Sequence, residues 1–264
     1  DLVPHDAVAA LLLVGAGLIA AYVWYALYAR RPLIDLRLLG VPTFFAGVMG
    51  GFLFRTGIGA APFLLPLLFQ EGFGLTPFQS GMLIFATGFG AMFMKTQAAR
   101  ILRRWGYRNV LIANALIAAI FSALPAVFTS ATPALLMSGI FLAGGLSRSL
   151  QFTGLNTLSF ADIPEKRLSQ ATSFASVVQE LSGAVGVSVA ALGLEIMMRI
   201  DGTSAMTPEI FPPVFLSIAL ISGLSAALFA WKLDPDAGAA LLVRPASKRE
   251  VAVEESADAD AGRL

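Results

Sequence analysis

The sequence predicts an all-α fold, a polytopic membrane helical bundle of about seven transmembrane helices. Three observations predict it. Hydrophobic residues make up 57% of the 264 residues and charged residues 13%, with a mean hydropathy of +0.77. So few charges could not cover the surface of a soluble domain of this length. The apolar residues fall into runs of the length a bilayer requires, about 20 residues at about 1.5 Å each. Arginine and lysine cluster on every second connection between those runs.

The expected spans are 7–28, 42–69, 78–94, 109–128, 134–160, 169–198 and 211–231. The first ends in an aromatic group, Tyr22, Trp24, Tyr25 and Tyr28, of the kind that sits at a membrane surface. The second holds Gly50, Gly51, Gly57, Gly59, Pro62 and Pro66. Each proline removes a backbone donor and disturbs the preceding turn, so a bend or break is expected near its second end. The third stops at Lys95, which can snorkel to the surface. The fourth and seventh carry no charge between their ends and read as outer, supporting helices. The fifth and sixth carry Arg148, Gln151, Asn156, Gln179 and Glu180. In the sixth, Ser182, Gly186 and Ala190 recur at spacing four, as do Gly183, Val187 and Ala191, which lets helix backbones approach within the bundle. Residues 233–264 mix Ala, Pro, Asp, Glu and Arg without periodicity and read as a disordered tail.

Orientation follows from the connections. Arg30, Arg31 and Arg37 follow the first span; Arg100, Arg103, Arg104 and Arg108 the third; Lys166 and Arg167 the fifth. Lys232, Arg244, Lys248, Arg249 and Arg263 follow the last. Connections 70–77 and 129–133 have no positive charge, and 200–210 has only Arg199 at its edge. The positive-inside rule then makes the basic connections and the C-terminus cytoplasmic and the chain's N-terminus external. Trp24, Trp105 and Trp231 all fall at the cytoplasmic boundary on this reading. The chain starts at Asp1, and Asp1 and Asp6 precede the first span where a secretory signal would be basic, so it reads as a fragment with an upstream part missing.

Arg55, Arg148 and Glu180 lie deep in their spans, roughly 15–21 Å of helix after the predicted start in a hydrocarbon core about 30 Å thick. A charge there costs about 2.5–3.5 kcal/mol on an insertion scale, so it needs a partner, water or a task. Two readings stand: a structural ion pair of Glu180 with Arg55 or Arg148, or a substrate or proton pathway. Gln151, Asn156 and Gln179 could line a cavity or bond a neighbouring helix. Glu195 and Arg199, four apart, read as a surface pair. There is no cysteine, which excludes disulfides and thiolate metal sites, and with His5 the only histidine a zinc or haem enzyme is nearly excluded. Neither a Walker A loop nor HExxH occurs. No cofactor, metal or enzymatic constellation is expected.

Three stretches resemble the C-terminal half of a major facilitator superfamily transporter, with the nearest likeness to the fourteen-helix drug:proton antiporter-2 family. PLIDLRLL (residues 32–39) followed by Phe44 is similar to the linker into the C-terminal six-helix bundle. ARILRRWGYR (99–108) is similar to the cytoplasmic loop motif G-x-L-x-D-R-x-G-R-R; Arg104, Gly106 and Arg108 match, while Ala99 and Arg103 stand where the motif has glycine and aspartate. RSLQFT (148–153), NTL (156–158), ATS (171–173) and QELSGAVG (179–186) are similar to that family's last cavity helices, with Glu180 replacing the more usual amide. The resemblance implies that 1–40 is an extra central helix and cytoplasmic linker, and 41–232 the six-helix bundle. Its first, second, fourth and fifth helices would line the cavity. The N-terminal half is absent. The implied function is proton-coupled efflux of drugs or small amphipathic molecules. Its implied partners are the bilayer, a small-molecule substrate, protons and the missing half, with no nucleic acid. The alternatives are an organic anion or siderophore-like metabolite, because two deep arginines face one glutamate, or a non-transporting half-protein.

Overall fold

The computed structural model describes residues 5–28, 34–202 and 205–242. Among these, every regular element is helical. Helix α1 is His5–Tyr28. Next, Pro42–Gly72 forms one long helical stretch, α2, followed by α3 (Pro77–Trp105), α4 (Tyr107–Ala123), α5 (Ala134–Ser159), α6 (Leu168–Ile200), α7 (Phe211–Lys232) and a last turn, α8 (Ala239–Leu242). By length and composition, four stretches can cross a membrane: Pro42–Gly72, Tyr107–Val127, Glu165–Ile200 and Pro208–Lys232. Helices α3 and α5 have 29 and 26 residues, so each is long enough to cross at about 1.5 Å per residue. Their apolarity is diluted by the Lys95–Arg104 segment and by Arg148, Gln151 and Asn156.

The second span is interrupted as its prolines require. It is α-helical over Gly51–Gly59, turns at Ala60, resumes at Ala61 and opens into a wider π-turn at Leu68–Gly72. Pro62 sits in the first turn of the resumed helix, where its missing donor costs nothing, and Pro66 lies inside it. A second π-turn occupies Ala46–Gly50.

Helix α3 outruns its predicted span. Its start is set by a capping box, with Thr76 N donating to Gln79 Oε1 at 2.9 Å and Gln79 N to Thr76 Oγ1 at 3.3 Å, and Pro77 in its first turn. It continues through Lys95, Arg100, Arg103 and Arg104 to Trp105. Those basic residues therefore lie on helix and not in a loop. The reason is that Lys, Gln, Ala and Arg all favour helix, so leaving an apolar layer does not end one. The connection to α4 reduces to Gly106, whose φ of +76° and ψ of 153° suit glycine.

Helix α5 packs along α3 and α4, α4 along α7, and α2 along α6 and α7. Close approach is built from small residues. A Cβ on Gly90 of α3 would lie 2.1 Å from the Leu142 carbonyl, and one on Gly145 of α5 would lie 2.1 Å from that of Thr87. Ser182, Gly186 and Ala190 are all buried, and a Cβ on Gly186 would lie 2.3 Å from the Thr56 carbonyl of α2. The spacing-four stripe thus packs inside the bundle, whereas Val187 and Ala191 of the second stripe are exposed. Apolar clusters fill both ends, one around Phe54, Leu111, Leu155 and Phe229, the other around Phe69, Phe141, Phe211 and Phe215. Outward faces keep their apolar side chains, among them Leu116, Ile117 and Ile120 on α4 and Leu216, Leu220 and Leu224 on α7.

Helix α1 meets the linker, where Ile34 N donates to Tyr22 Oη at 2.9 Å. Asp35 then pairs with Arg167 at 2.6 Å, tying the linker to the connection between α5 and α6. The tail expectation needs correction over its first residues. Residues 234–242 turn back onto the bundle, with Ala237 and Leu241 against the first apolar cluster and Gly238 beside Tyr107 and Leu158. The apolar Ala and Leu of that segment have a surface to bury against, which a composition reading cannot see. The rest of the tail, with Arg244, Lys248, Arg249 and Arg263, lies outside the described residues, as do Arg30 and Arg31.

Candidate functional site

Helix α5 positions the site because its polar residues divide by spacing four among three faces. Toward α3 stand Gly145 and Ser149, whose hydroxyl donates to the Ala91 carbonyl at 2.8 Å. Toward α4 stand Ser147 and Gln151. Toward α2 stand Arg148, Phe152 and Asn156. With about 3.6 residues per turn, adjacent residues diverge by about 100°, so Gln151 and Phe152 cannot share a direction.

The face toward α4 is closed. Asn114 Nδ2 donates to the Ser147 carbonyl and to Gln151 Oε1, both at 2.8 Å. Ser147 Oγ donates to Asn114 Oδ1 at 2.9 Å, and Gln151 Nε2 to the Leu111 carbonyl at 3.1 Å. Gln151 is fully buried there. It lines none of the cavities around the arginines; it bonds a neighbouring helix. Asn114 is the residue the sequence reading missed, because the fourth span was judged by its lack of charge alone.

The face toward α2 is open. Arg55 of α2 and Arg148 of α5 both lie near one ring, their Cζ atoms 5.3 and 5.6 Å from the Phe152 centroid. Phe54 packs edge-on against the same ring at 6.2 Å. Arg55 is 7% exposed. Its Nη2 donates to Asn156 Oδ1 at 3.1 Å, and its Nε has no partner among the described residues. Among the described residues neither arginine meets a carboxylate within salt-bridge distance.

A cavity of about 180 Å³ joins three of the expected residues, Arg55, Asn156 and Gln179. Ser159, Thr172 and Ser176 add hydroxyls, and Val48, Phe160 and Ala175 add apolar wall. Arg148 opens instead into a smaller, mainly apolar pocket of about 80 Å³ with Phe121, Phe141 and Phe215. Glu180 lies apart. It is exposed on α6, so the expected ion pair with Arg55 or Arg148 is not formed. It follows Gln179 directly but does not line the cavity that Gln179 lines. Phe152, Thr172 and Ser176 were also missed; a phenylalanine in an apolar span carries no signal until a guanidinium is found above it.

The loop-motif residues lie far along α3 and the start of α4. Arg100 Nη1 donates to Gln97 Oε1 at 2.5 Å, Arg103 is exposed, and Arg104 lies over the Trp105 ring at 5.9 Å. Arg108 does structural work. Its Nε donates to the Leu233 carbonyl at 2.8 Å and its Nη2 to that of Ala230 at 3.1 Å, covering carbonyls left free at the end of α7. Glu195 and Arg199 form the expected exposed pair at 2.5 Å.

The profile of the Major Facilitator Superfamily matches residues 47–259. A protein of Pectobacterium atrosepticum named "Putative multidrug resistance protein MdtD" is 33% identical over 236 residues, covering 89% of this chain and 50% of that protein. Proteins of the same name from Salmonella paratyphi A and Salmonella heidelberg are each 34% identical, over 218 and 220 residues, covering 82% and 81% of this chain. The chain therefore spans about half the length of the curated relatives it matches. By the extent of the profile match and the helical membrane architecture together, the chain belongs to the major facilitator superfamily of transport proteins.

Proposed function

We propose that this chain is the C-terminal part of a proton-coupled exporter of drugs or small amphipathic molecules, working in the inner (plasma) membrane. The observation that carries the reading is the recess between α2, α5 and α6, where the buried Arg55 shares a cavity with Asn156 and Gln179 near the α5–α6 connection. A guanidinium buried like that of Arg55 is costly unless it serves a pathway or meets a partner, and it has a hydrogen bond to Asn156 but no ion pair among the described residues. The names of the half-matched relatives support efflux as the direction and drugs as the cargo. On this reading residues 41–232 form the C-terminal bundle, the first helix is an additional central one, and a second bundle completes the cavity. Rocking of one bundle against the other would alternate access. The basic ends of α3 and α7 face the cytoplasm, which puts the chain's start outside.

Arg148 serves in this scheme as the residue that adjusts proton binding on a carboxylate elsewhere in the pathway. The test is ethidium export by the full-length transporter, with external pH followed in parallel. Arg148→Ala should lower both export and proton exchange. Unchanged values for both would remove Arg148 from the pathway, and no export by the unaltered protein would overturn efflux of cationic drugs.

A further inference from the structure

We propose that the cavity under Arg55 is a receptor for a carboxylate. This rests on the reading that the cavity belongs to the transport pathway, and it adds what the cavity holds. Arg55 is 7% exposed and lines the cavity, yet among the described residues its one hydrogen bond is to Asn156 and its Nε has no partner. A buried guanidinium without an anion is strongly disfavoured, and the Arg148 cation near the same Phe152 ring adds to the positive potential. The other lining groups are amides, hydroxyls and apolar side chains, with no carboxylate to answer the charge.

The hydroxyls are neutral and cannot balance the charge. Ser159 Oγ donates to the Leu155 carbonyl at 2.7 Å and Thr172 Oγ1 to that of Leu168 at 2.9 Å, so both are held along their own helices. A single planar guanidinium fork with a neighbouring amide matches one carboxylate, two oxygens against two N–H groups. A phosphate dianion would ask for more positive charge than this wall offers. About 180 Å³ takes the carboxylate with a short apolar stem against Val48, Phe160 and Ala175. The cavity opens past Ser176 and Gln179, which are exposed on α6. The carboxylate can therefore arrive on a transported molecule or on a side chain from the remainder of the transporter.

The test uses the purified full-length transporter and two probes, dansylglycine and its methyl ester, whose fluorescence rises on transfer to an apolar site. If the carboxylate comes with cargo, dansylglycine binds at least about tenfold more tightly than the ester. Arg55→Gln, which keeps a donor for Asn156 but removes the charge, erases that preference, and Arg55→Lys keeps part of it. If it comes from the protein, the probes do not differ. Arg55→Gln then lowers the melting temperature more at about pH 8 than at about pH 5, because the abandoned carboxylate takes up a proton in acid and loses its penalty. Equal probes with a melting shift that is absent, or the same at both pH values, overturn the proposal. Should Arg55→Gln fail to fold, the ester comparison on the unaltered protein and on Arg55→Lys still decides: a preference supports the receptor, and no preference with unchanged melting of Arg55→Lys at both pH values overturns it. Neither readout needs export, so a transporter that fails to move ethidium can still pass this test.

Discussion

Two faces of α5 carry nearly the same chemistry and come to opposite ends. Toward α4, Ser147 and Gln151 meet Asn114, and the amides and hydroxyl bond one another or a backbone carbonyl. Toward α2, Asn156 meets Arg55 once, and Arg148 and Gln179 stand around space. The first face is a polar seam that holds two helices in register. The second is a wall that waits for something. Polar residues within a membrane bundle therefore cannot be assigned to function by depth alone; what separates the cases is whether their donors and acceptors are already used.

The largest effect is expected from a third face of α5, where a substitution separates it from α3. Gly90→Ala sets a methyl 2.1 Å from the Leu142 carbonyl, a backbone atom that cannot rotate away. The expected loss is at the upper end of about 1–3 kcal/mol or more, seen as loss of monodisperse protein and a large fall in melting temperature. An unchanged melting curve would mean that the two helices do not pack at this distance.

Breaking the polar seam should cost less. Asn114→Leu leaves Gln151 Oε1 without its partner and Ser147 Oγ with only the residue-114 carbonyl at 3.4 Å, for about 1–2 kcal/mol in reversible unfolding. Combining it with Gln151→Leu should cost less than the two single changes added together, since the unmatched groups then vanish in pairs. Strict additivity would sever the two residues. On the open side the ordering reverses: Asn156→Leu should alter ethidium export severalfold while shifting stability by less than about 1 kcal/mol, because that amide is exposed and makes one bond. If it destabilised as much as Asn114→Leu, the two faces would not differ in kind. The smallest effect belongs to the exposed pair on α6. Glu195→Gln should change stability by no more than about 0.5 kcal/mol, and less in high salt.

Much of this could be read beforehand. The spans at 42–69, 109–128, 134–160, 169–198 and 211–231 correspond to helices with ends shifted by a few residues, because apolar runs of bilayer length have few other uses. The break in the second span followed from Pro62 and Pro66, and the packing stripe from Ser182, Gly186 and Ala190. The end of α3 was misplaced by eleven residues, from Met94 to Trp105, since hydropathy marks where a membrane ends and not where a helix does.

The site divided differently. Of the six residues expected on a pathway, Arg55, Asn156 and Gln179 share one cavity and Arg148 a neighbouring one, whereas Gln151 turns to α4 and Glu180 to the exposed face of α6. Sequence by itself determined that the chain is a membrane helical bundle, where its helices run and which residues carry charge at depth, because hydropathy, proline and helix period act locally along the chain. Only the tertiary structure decided which of those residues have partners. A residue's direction around a helix, and what stands opposite it, depends on how three helices are set against one another, so two residues one step apart can be a fastener and a wall.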